Sequence, residues 1–396
     1  MNNRSCAGSP VLKIESAGSR ILAIFTGSNA AVSAAVVLLG FLVATLLVII
    51  TGRNPRGMYE AILQVISGFS RNRSGVWGWN TRYIGEWLVS SIPLILCGLS
   101  MAFAARTGLF NIGAEGQYIA GLTAAQIIAR YFPPVPVLHW IAAVAGAVVT
   151  GALWGGIAGF FKARCKVSEV VSTIMMNYIA LYLHRIITLR IPGSTTYKTP
   201  DFPVTAVLSS PLLAVVTNGS RLNYSLWLCL AATALFWVIM EKTRLGYSLR
   251  ATGLNRDAAF SGGINVNASI TLAMAVSGAF AGLAGASVSL GVFNYGRILD
   301  RQDGYGFDGI AVALVGNSTA WGTALAGLLF GMLKSAQPLM QSRQIPKEIT
   351  AIIMGLVVVF ISLRAGIRLI IEWQMKEQAR RARKHDGGIA PNGGGG

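Results

Sequence analysis

Charged side chains are scarce in this sequence, and that scarcity excludes an ordinary soluble domain. Asp, Glu, Lys and Arg make up 12% of the 396 residues, whereas hydrophobic residues make up 53% and the mean hydropathy is +0.57. Apolar windows of about 20 residues, long enough to cross a bilayer core as a helix, recur along the chain. The sequence therefore predicts an all-α, polytopic membrane protein, because a membrane barrel would show short segments of alternating polarity instead.

Residues that build metal and catalytic sites are also few. The four cysteines and three histidines show no metal-binding spacing and no catalytic-triad pattern. Cys97 and Cys229 lie in apolar windows and are predicted to pack in the core, whereas His139 and His184, near span ends, are predicted to be interfacial. The chain lacks the G-x-x-x-x-G-K-[ST] loop that binds ATP phosphates, and also the G-x-S-x-G and H-E-x-x-H motifs. We therefore predict no metal, no cofactor and no enzymatic activity, so that any ATP would be bound by a separate subunit.

Acidic residues are outnumbered by basic ones, 15 against 33, which leaves a net charge of +18. The basic residues lie in tails and short loops between apolar windows. We therefore attribute them to membrane orientation and contact with anionic headgroups, and not to nucleic-acid binding. A cluster at Lys162, Arg164 and Lys166 marks a cytoplasmic loop. The segment 51–86 is an exception, because its five arginines fall in a loop that the order of the spans places outside.

The order of the apolar windows predicts about ten spans with both termini cytoplasmic. Residues 1–30 form a cytoplasmic tail, 31–371 the membrane domain and 372–396 a basic, Gly-rich cytoplasmic tail. Glycine-containing stripes at 151–159 and 278–286 predict close helix contacts. The spans before 222 and after 266 run in opposite senses, which is the pattern of a possible inverted repeat. The predicted spans are Ala31–Ile50, Trp87–Ala105, Ile112–Ala129, Val137–Phe161, Val170–Leu183, Leu222–Met240, Asn267–Leu290, two short helices within Gly309–Leu333 that meet at an inner turn, and Ile349–Leu363.

Polar side chains inside these spans point to a substrate path, because a group buried in hydrocarbon is costly unless a partner or water is present. Glu115 and Asp308 lie beside glycines that would interrupt a helix, where exposed amides could bind polar ligand atoms. The alternative is that both carboxylates are helix caps. Asn177 stands in mid-span and either bonds another helix or faces the path. Together with Asn111 and Gln117, these residues form the predicted substrate pathway.

The segment Glu241–Val266 separates two long charge-free spans and is rich in basic residues. Leucines at 245, 249 and 254 recur at helix-like spacing, and glycines supply breaks and points of close approach. A surface helix with a glycine hinge could dock a soluble partner and transmit its motion, although a plain basic turn has the same composition. The candidate coupling residues are Arg244, Gly246, Arg250, Gly253, Asn255, Ala258, Ala259 and Gly263.

Four motifs in this chain resemble those of one transporter family. The run at 243–265 reads T-R-L-G-x-x-L-R-A-x-G-x-N-x-x-A-A-x-x-x-G-I-N, and the stretches RTGLFNIGAEGQ, SEVVSTIMMNYIALYL and GYGFDGIAVALVG begin at 106, 168 and 304. In this order they are similar to permease subunits of ATP-binding-cassette (ABC) importers for branched-chain amino acids, simple sugars and nucleosides. The nucleoside-type permeases are the most similar branch. The resemblance covers most of the chain from about Trp87 onward.

The resemblance implies a pore of two permease chains in the bacterial cytoplasmic (inner) membrane. It also implies a separate ABC ATPase subunit that pushes on 241–266, and an extracytoplasmic substrate-binding lipoprotein. Nucleosides are the expected cargo and simple sugars the next candidate. Phe110, Tyr178 and Tyr182 could stack against a flat nucleobase, with packing or interface anchoring as the alternative. An ion-coupled secondary transporter is the competing hypothesis, and a membrane-embedded enzyme is a more distant one.

Overall fold

The structure is a computed structural model that describes residues 29–71, 77–346 and 348–360, together with Trp373. The predicted tails at 1–30 and 372–396 lie outside these residues, apart from Asn29, Ala30 and Trp373. Helices dominate the described chain, and strands occur there only as two short pairs. This architecture agrees with an all-α membrane protein.

In the described ranges, five helices are long and apolar enough to cross a membrane: Arg82–Arg106, Leu138–Cys165, Glu169–Leu189, Ser225–Lys242 and Val266–Val292. The last two end in π-helical turns, Val238–Lys242 and Ser287–Val292. Val37–Ile50, Tyr305–Val315 and Glu348–Phe360 are shorter apolar helices. In the described ranges the helices are α1 (Asn29–Ile50), α2 (Arg56–Ser67), α3 (Arg82–Arg106), α4 (Ala114–Tyr131), α5 (Leu138–Cys165), α6 (Glu169–Leu189), α7 (Pro211–Val216), α8 (Ser225–Trp237), α9 (Arg244–Leu254), α10 (Arg256–Ser261), α11 (Val266–Ala286), α12 (Tyr305–Val315), α13 (Ala320–Ser342) and α14 (Glu348–Phe360).

The stretch predicted as two short helices within Gly309–Leu333 is interrupted at the expected place, between α12 and α13. The prediction that both halves are short is wrong, because α13 has 23 residues and ends at Ser342. Lys334 had marked the end of the apolar window. In the structure its ammonium group pairs with Asp308 at 2.7 Å, so the helix continues past this charge.

The two predicted glycine stripes pack against each other, one on α5 and one on α11. A Cβ atom added at Gly151 would overlap the carbonyl oxygen of Gly278, and one at Gly278 would overlap the carbonyl oxygen of Gly151. Gly155 has the same relation to the carbonyl of Met274. Because no side chain separates the two backbones here, the helices gain close van der Waals contact, which is the main attraction between helices in a bilayer.

Loops that the sequence places on the outer side lie together. β1 (Phe69–Arg71) pairs with β2 (Trp77–Trp79), and β3 (Lys198–Asp201) pairs with β4 (Tyr295–Arg297), both antiparallel. The second pairing joins two loops that are far apart in sequence. In addition, the guanidinium of Arg343 donates to the carbonyl of residue 57 at 3.0 Å. These contacts agree with the predicted alternation of loops between two sides.

Two of the cysteines and two of the histidines lie inside the fold. Cys97 and Cys229 are buried, as predicted. His139 and His184 are buried within the fold, at 0% and 1% exposed, and their placement at the membrane interface stays a prediction. His139 Nδ1 lies 2.9 Å from the hydroxyl of Thr205, and His184 Nε2 lies 3.2 Å from a backbone amide of the loop before α12. These partners satisfy the ring nitrogens away from water.

Candidate functional site

A helix interruption between α3 and α4, residues 107–113, contains Asn111, which is completely buried. Asn111 and Gln117 exchange hydrogen bonds: Nδ2 of Asn111 donates to Oε1 of Gln117 at 2.8 Å, and Nε2 of Gln117 donates to Oδ1 of Asn111 at 3.1 Å. Nδ2 of Asn111 also donates to Ser277 Oγ on α11 at 2.7 Å. The amide pair therefore ties the interruption to the centre of α11.

Asn177 on α6 bonds the same interruption from the other side. Its Nδ2 donates to the carbonyl of Ile112 at 3.1 Å, and its Oδ1 accepts from the amide of Gly116 at 2.8 Å. The side chain is 1% exposed. Of the two alternatives for Asn177, the geometry matches a bond to a neighbouring helix, and the residue stabilises backbone groups that the interruption leaves unpaired.

Glu115 joins the start of α4 to the start of α12. Its two carboxylate oxygens accept from the backbone amides of Gly304 and Gly306, at 2.8 and 2.6 Å. A Cβ atom at Gly306 would overlap the backbone of Glu115, so only glycine allows this approach. The carboxylate, 0% exposed, thus caps the N-terminus of a helix far away in sequence.

Asp308 has a different partner from Glu115, although both were predicted from the same pattern. Its Oδ2 lies 2.7 Å from Nζ of Lys334 on α13. The ammonium group of Lys334 also lies 4.3 Å from the ring centroid of Tyr305. Both charged side chains are partly accessible, with relative exposures of 28% for Asp308 and 21% for Lys334. Among the predicted pathway residues, Asp308 is therefore the one that retains access from outside the fold.

Five residues that the sequence analysis did not select form a polar cluster with Glu115 and Asp308. The hydroxyl of Tyr118 donates to Oδ2 of Asp303 at 2.9 Å, and the guanidinium of Arg297 donates to both oxygens of Asp303 at 2.8 and 2.7 Å. The rings of Tyr118 and Tyr305 lie 5.5 Å apart. Burial alone would lower the pKa of Arg297, but the ion pair with Asp303 raises it above its ordinary value. The polar cluster consists of Glu115, Tyr118, Arg297, Asp303, Tyr305, Asp308 and Lys334.

One member of the polar cluster had a visible signal in the sequence. Lys334 is the one charged residue within the 23 residues of α13. A charge inside a membrane helix is expected to have a partner, and that expectation would have identified it. Arg297 and Asp303 carried no such signal, because they lie in a loop that the sequence placed outside the membrane.

The predicted coupling segment folds as two short helices, α9 and α10, and its prediction as helix is confirmed. Thr243 caps α9, and Asn255 caps α10 by accepting from the amides of Asp257 and Ala258, each at 3.0 Å. Cβ atoms at Gly246 and Gly253 would overlap backbone atoms of 239–240 and 106–108. Gly253 therefore brings α9 against the beginning of the interruption that holds Asn111.

Arg250, one of the candidate coupling residues, is bonded within the chain. Its guanidinium donates to the carbonyl of Met240 and to Oε2 of Glu241 at 2.6 Å. The other oxygen of Glu241 accepts from Arg106 at 2.5 Å. The carboxylate of Glu241 thus links α9 to the end of α3, and Arg250 serves that internal link.

The outward surface of α9 and α10 presents side chains that the sequence reasoning did not select. Tyr247, Leu254 and Phe260 are 65%, 89% and 73% exposed. Of the predicted coupling residues, Arg244, Asn255 and Ala258 are exposed, Gly246 and Ala259 are buried, and Gly263 adopts a left-handed turn with φ of 80°. We call the exposed side chains Arg244, Tyr247, Leu254, Ala258 and Phe260 the coupling surface.

Comparisons with known proteins agree with this architecture. Residues 83–362 match the family described as branched-chain amino acid transport system / permease component. The chain is 39% identical to the guanosine ABC transporter permease protein NupP of Bacillus subtilis (strain 168), over 85% of this chain and 93% of that protein. It is 34% identical to the nucleoside ABC transporter permease protein NupB of Lactococcus lactis subsp. cremoris (strain MG1363), over 89% and 95%.

A third relative carries a different named cargo. The glucose ABC transporter permease protein TsgB13 of Haloferax volcanii is 32% identical over 70% of this chain and 75% of that protein. No solved structure matches the chain. The family match covers most of the described helices, and the two nucleoside-named relatives align along nearly their whole lengths. The chain therefore belongs to the branched-chain amino acid transport system / permease component family and is a multi-pass permease subunit of an ABC transporter, of the nucleoside type.

Proposed function

We propose that this permease imports nucleosides. The observation that carries the proposal is the 39% identity, over 93% of its length, to a permease named for guanosine. Simple sugars are the second candidate, and the relative named for glucose supports them. Membership of the family does not by itself identify the substrate. Related proteins share a fold, whereas the residues of the binding site select the ligand.

The proposed assembly has three kinds of component. Two permease chains form the pore, an ABC ATPase subunit binds and hydrolyses ATP on the cytoplasmic side, and an extracytoplasmic binding lipoprotein delivers the substrate. The permease itself holds no ATP, metal or other cofactor and catalyses no reaction. We place it in the bacterial cytoplasmic (inner) membrane, with about ten spans in a possible inverted repeat and both termini cytoplasmic.

The coupling surface is the proposed landing site for the ATPase. Exposed aromatic and aliphatic side chains beside an arginine suit a groove on a soluble protein, since such residues dominate binding energy at interfaces. Motion of α9 would pass to α3 through the carboxylate of Glu241, held between Arg250 and Arg106. It would also pass through the backbone contact of Gly253 with 106–108, the residues that lead into the interruption.

The predicted pathway residues receive a more specific role in this proposal. Four of them are buried and form hydrogen bonds that connect the interrupted helices to neighbouring segments: Asn111, Glu115, Gln117 and Asn177. We therefore assign these four residues to bracing the interrupted helices beside the path. Asp308 is partly accessible and paired with Lys334, and it is the candidate to contact the solute or the water that hydrates it. Bracing matters for transport because interrupted helices expose backbone groups that need partners inside a membrane.

A purified complex in lipid vesicles tests the proposal against its rival. Radiolabelled guanosine should accumulate only when ATP, the ATPase subunit and the binding protein are all present, and an ionophore should leave the uptake unchanged. Uptake by the permease alone that an ionophore abolishes would identify an ion-coupled transporter. Accumulation of glucose but not of guanosine would show that the permease imports sugars.

A further inference from the structure

Helix α6 is the least buried of the five long apolar helices, with 28% of its most apolar window inside the fold. One of its faces carries Asn177 and His184 and packs against α4 and the loop before α12. The other face points away from the described chain. It presents Met175, Tyr178 and Tyr182, which are 57%, 51% and 62% exposed.

The two tyrosines occupy an unfavourable place for a surface that meets lipid. Tyr178 stands near the middle of this 21-residue helix, about 14 Å from its start at 1.5 Å per residue. No hydrogen-bond partner for the hydroxyl of Tyr178 or Tyr182 lies within the described residues. Tyrosines of membrane proteins concentrate at the interfaces, because hydrocarbon cannot bond the phenol hydroxyl. Water or a polar solute at this face would satisfy both hydroxyls.

The neighbouring helix α5 supplies the contrast. Its exposed face carries Val149, Leu153 and Ile157, which have no polar atom in their side chains. That composition suits lipid, and the same holds for Leu38 and Leu42 on α1. Helix α6 therefore differs from these lipid-compatible faces in having polar groups at its centre. The difference indicates that its exposed face meets water.

The buried face of α6 adjoins the interrupted stretch after α3. Asn177, next to Tyr178 in sequence, bonds the carbonyl of Ile112. Phe110, two residues earlier in the same stretch, is 39% exposed. Helix α6 is thus attached, through its buried face, to the segment that α9 contacts at Gly253.

We propose that Tyr178 and Tyr182 line the translocation path and stack against the base of the passing nucleoside. The proposal rests on the proposed function, since it takes the cargo to be a nucleoside moving between two permease chains. Side chains four residues apart on a helix lie about 6 Å apart and share one face. Two tyrosines at this spacing form an aromatic strip along one face of the helix. A flat base can slide along such a strip, because stacking tolerates different bases and registers.

The first experiment measures access of water to this face. Tyr178→Cys, Tyr182→Cys and Met175→Cys are made in a Cys6→Ser, Cys165→Ser background that keeps the buried Cys97 and Cys229. The reconstituted complex is treated with a charged, membrane-impermeant methanethiosulfonate, with Leu153→Cys on α5 as the control. We expect all three α6 cysteines to react and Leu153→Cys to stay unmodified. If the three are as inert as the control, lipid or the second permease covers the face and the proposal fails.

Protection by cargo separates a path from a mere water-filled gap. Guanosine together with ATP and the binding protein should slow modification at position 178 about three-fold or more, whereas ribose should not. This follows because a stacked base shields the neighbouring thiol. If ribose protects position 178 as well as guanosine does, or if neither solute protects it, the proposal that the aromatic strip stacks against the base is wrong.

The second experiment measures selectivity in the wild-type, Tyr178→Ala and Tyr178→Phe complexes. Guanosine and uridine are supplied in competition, and the ratio of their uptake is recorded. The binding protein is identical in every sample, so a changed ratio reports contact between the permease and the base. We expect alanine to shift the ratio against the larger purine about five-fold and phenylalanine to restore it.

The outcomes distinguish this inference from the function on which it rests. Normal uptake with an unchanged ratio in Tyr178→Ala overturns the stacking strip and leaves nucleoside import intact. Absence of nucleoside uptake by the wild-type complex overturns the cargo assignment instead.

Discussion

At the residue scale, Glu115 holds together two helix starts that would otherwise present free backbone amides inside the membrane. Its carboxylate accepts from Gly304 and Gly306, and each bond joins residues about 190 positions apart, 189 and 191 respectively. A charged acceptor at a helix N-terminus is favoured by the helix dipole as well as by the two hydrogen bonds. The residue therefore fixes the position of α12 against α4.

We expect Glu115→Gln to insert normally but to transport about ten-fold more slowly. The amide would set its own NH₂ group against one of the two backbone amides, which leaves a buried donor unpaired at a cost of about 1–3 kcal/mol. Uptake into vesicles at matched protein levels measures the loss. Glu60→Gln is the control, because Glu60 is an exposed partner of Arg56 on α2. Wild-type transport by Glu115→Gln would show that the carboxylate is an incidental cap.

Arg250 and Gly253 supply a second prediction at this scale. We expect Arg250→Ala and Gly253→Val to leave the complex assembled but to reduce substrate-stimulated ATP hydrolysis by about five-fold or more. Arg250→Ala removes one partner of the Glu241 link, and Gly253→Val puts a side chain into the backbone of 106–108. ATP hydrolysis by the reconstituted complex is measured with and without the binding protein.

Leu254 provides the comparison for that measurement. Its side chain is 89% exposed on the coupling surface, so Leu254→Ser should weaken assembly with the ATPase rather than stimulation of the assembled complex. Copurification of the ATPase reports assembly separately from hydrolysis. Full stimulation in both Arg250→Ala and Gly253→Val would mean that α9 does not transmit the ATPase motion.

At the scale of elements, the contact of α5 with α11 gives a third prediction. Gly151→Ala should lower the melting temperature of the purified permease by about 5 °C or more, because even one methyl group overlaps a backbone carbonyl of α11 and overpacking costs about 1–3 kcal/mol. Gly156→Ala on the same helix is the matched control, since its methyl group would meet Ala275 at an ordinary 3.5 Å. Equal melting temperatures for the two variants would contradict the direct backbone contact.

At the scale of the whole molecule, the two ends of the helix bundle must face opposite sides of the membrane. A cysteine at Val204, which is 86% exposed, should react with a membrane-impermeant thiol reagent in intact cells. A cysteine at Ser261, at the end of α10, should react only after permeabilisation. Both variants carry Cys6→Ser and Cys165→Ser, so that neither the tail cysteine nor the exposed Cys165 contributes to the labelling. Labelling of the Ser261 variant from outside would invert the topology and remove the coupling surface from the ATPase.

The sequence by itself determined the class of fold, the approximate position of most apolar helices and the helical structure within 241–266. These properties are local: hydropathy over about 20 residues selects a membrane helix, and glycine stripes at helical spacing mark a close contact. The two stripes were predicted separately, on different helices, and the structure brings them together. Buried Cys97 and Cys229 followed from the apolar windows around them in the same way.

Only the tertiary structure decided which polar groups are partners. Lys334 ended an apolar window in the sequence, yet α13 continues through it because Asp308 neutralises the charge. His139 and His184 became buried because loops from distant parts of the chain bring hydrogen-bond partners to them. Such polar pairs form only when segments far apart in sequence approach each other, so no local pattern of residues predicts them. The partition of a segment between lipid and water, by contrast, depends on the residues of that segment alone.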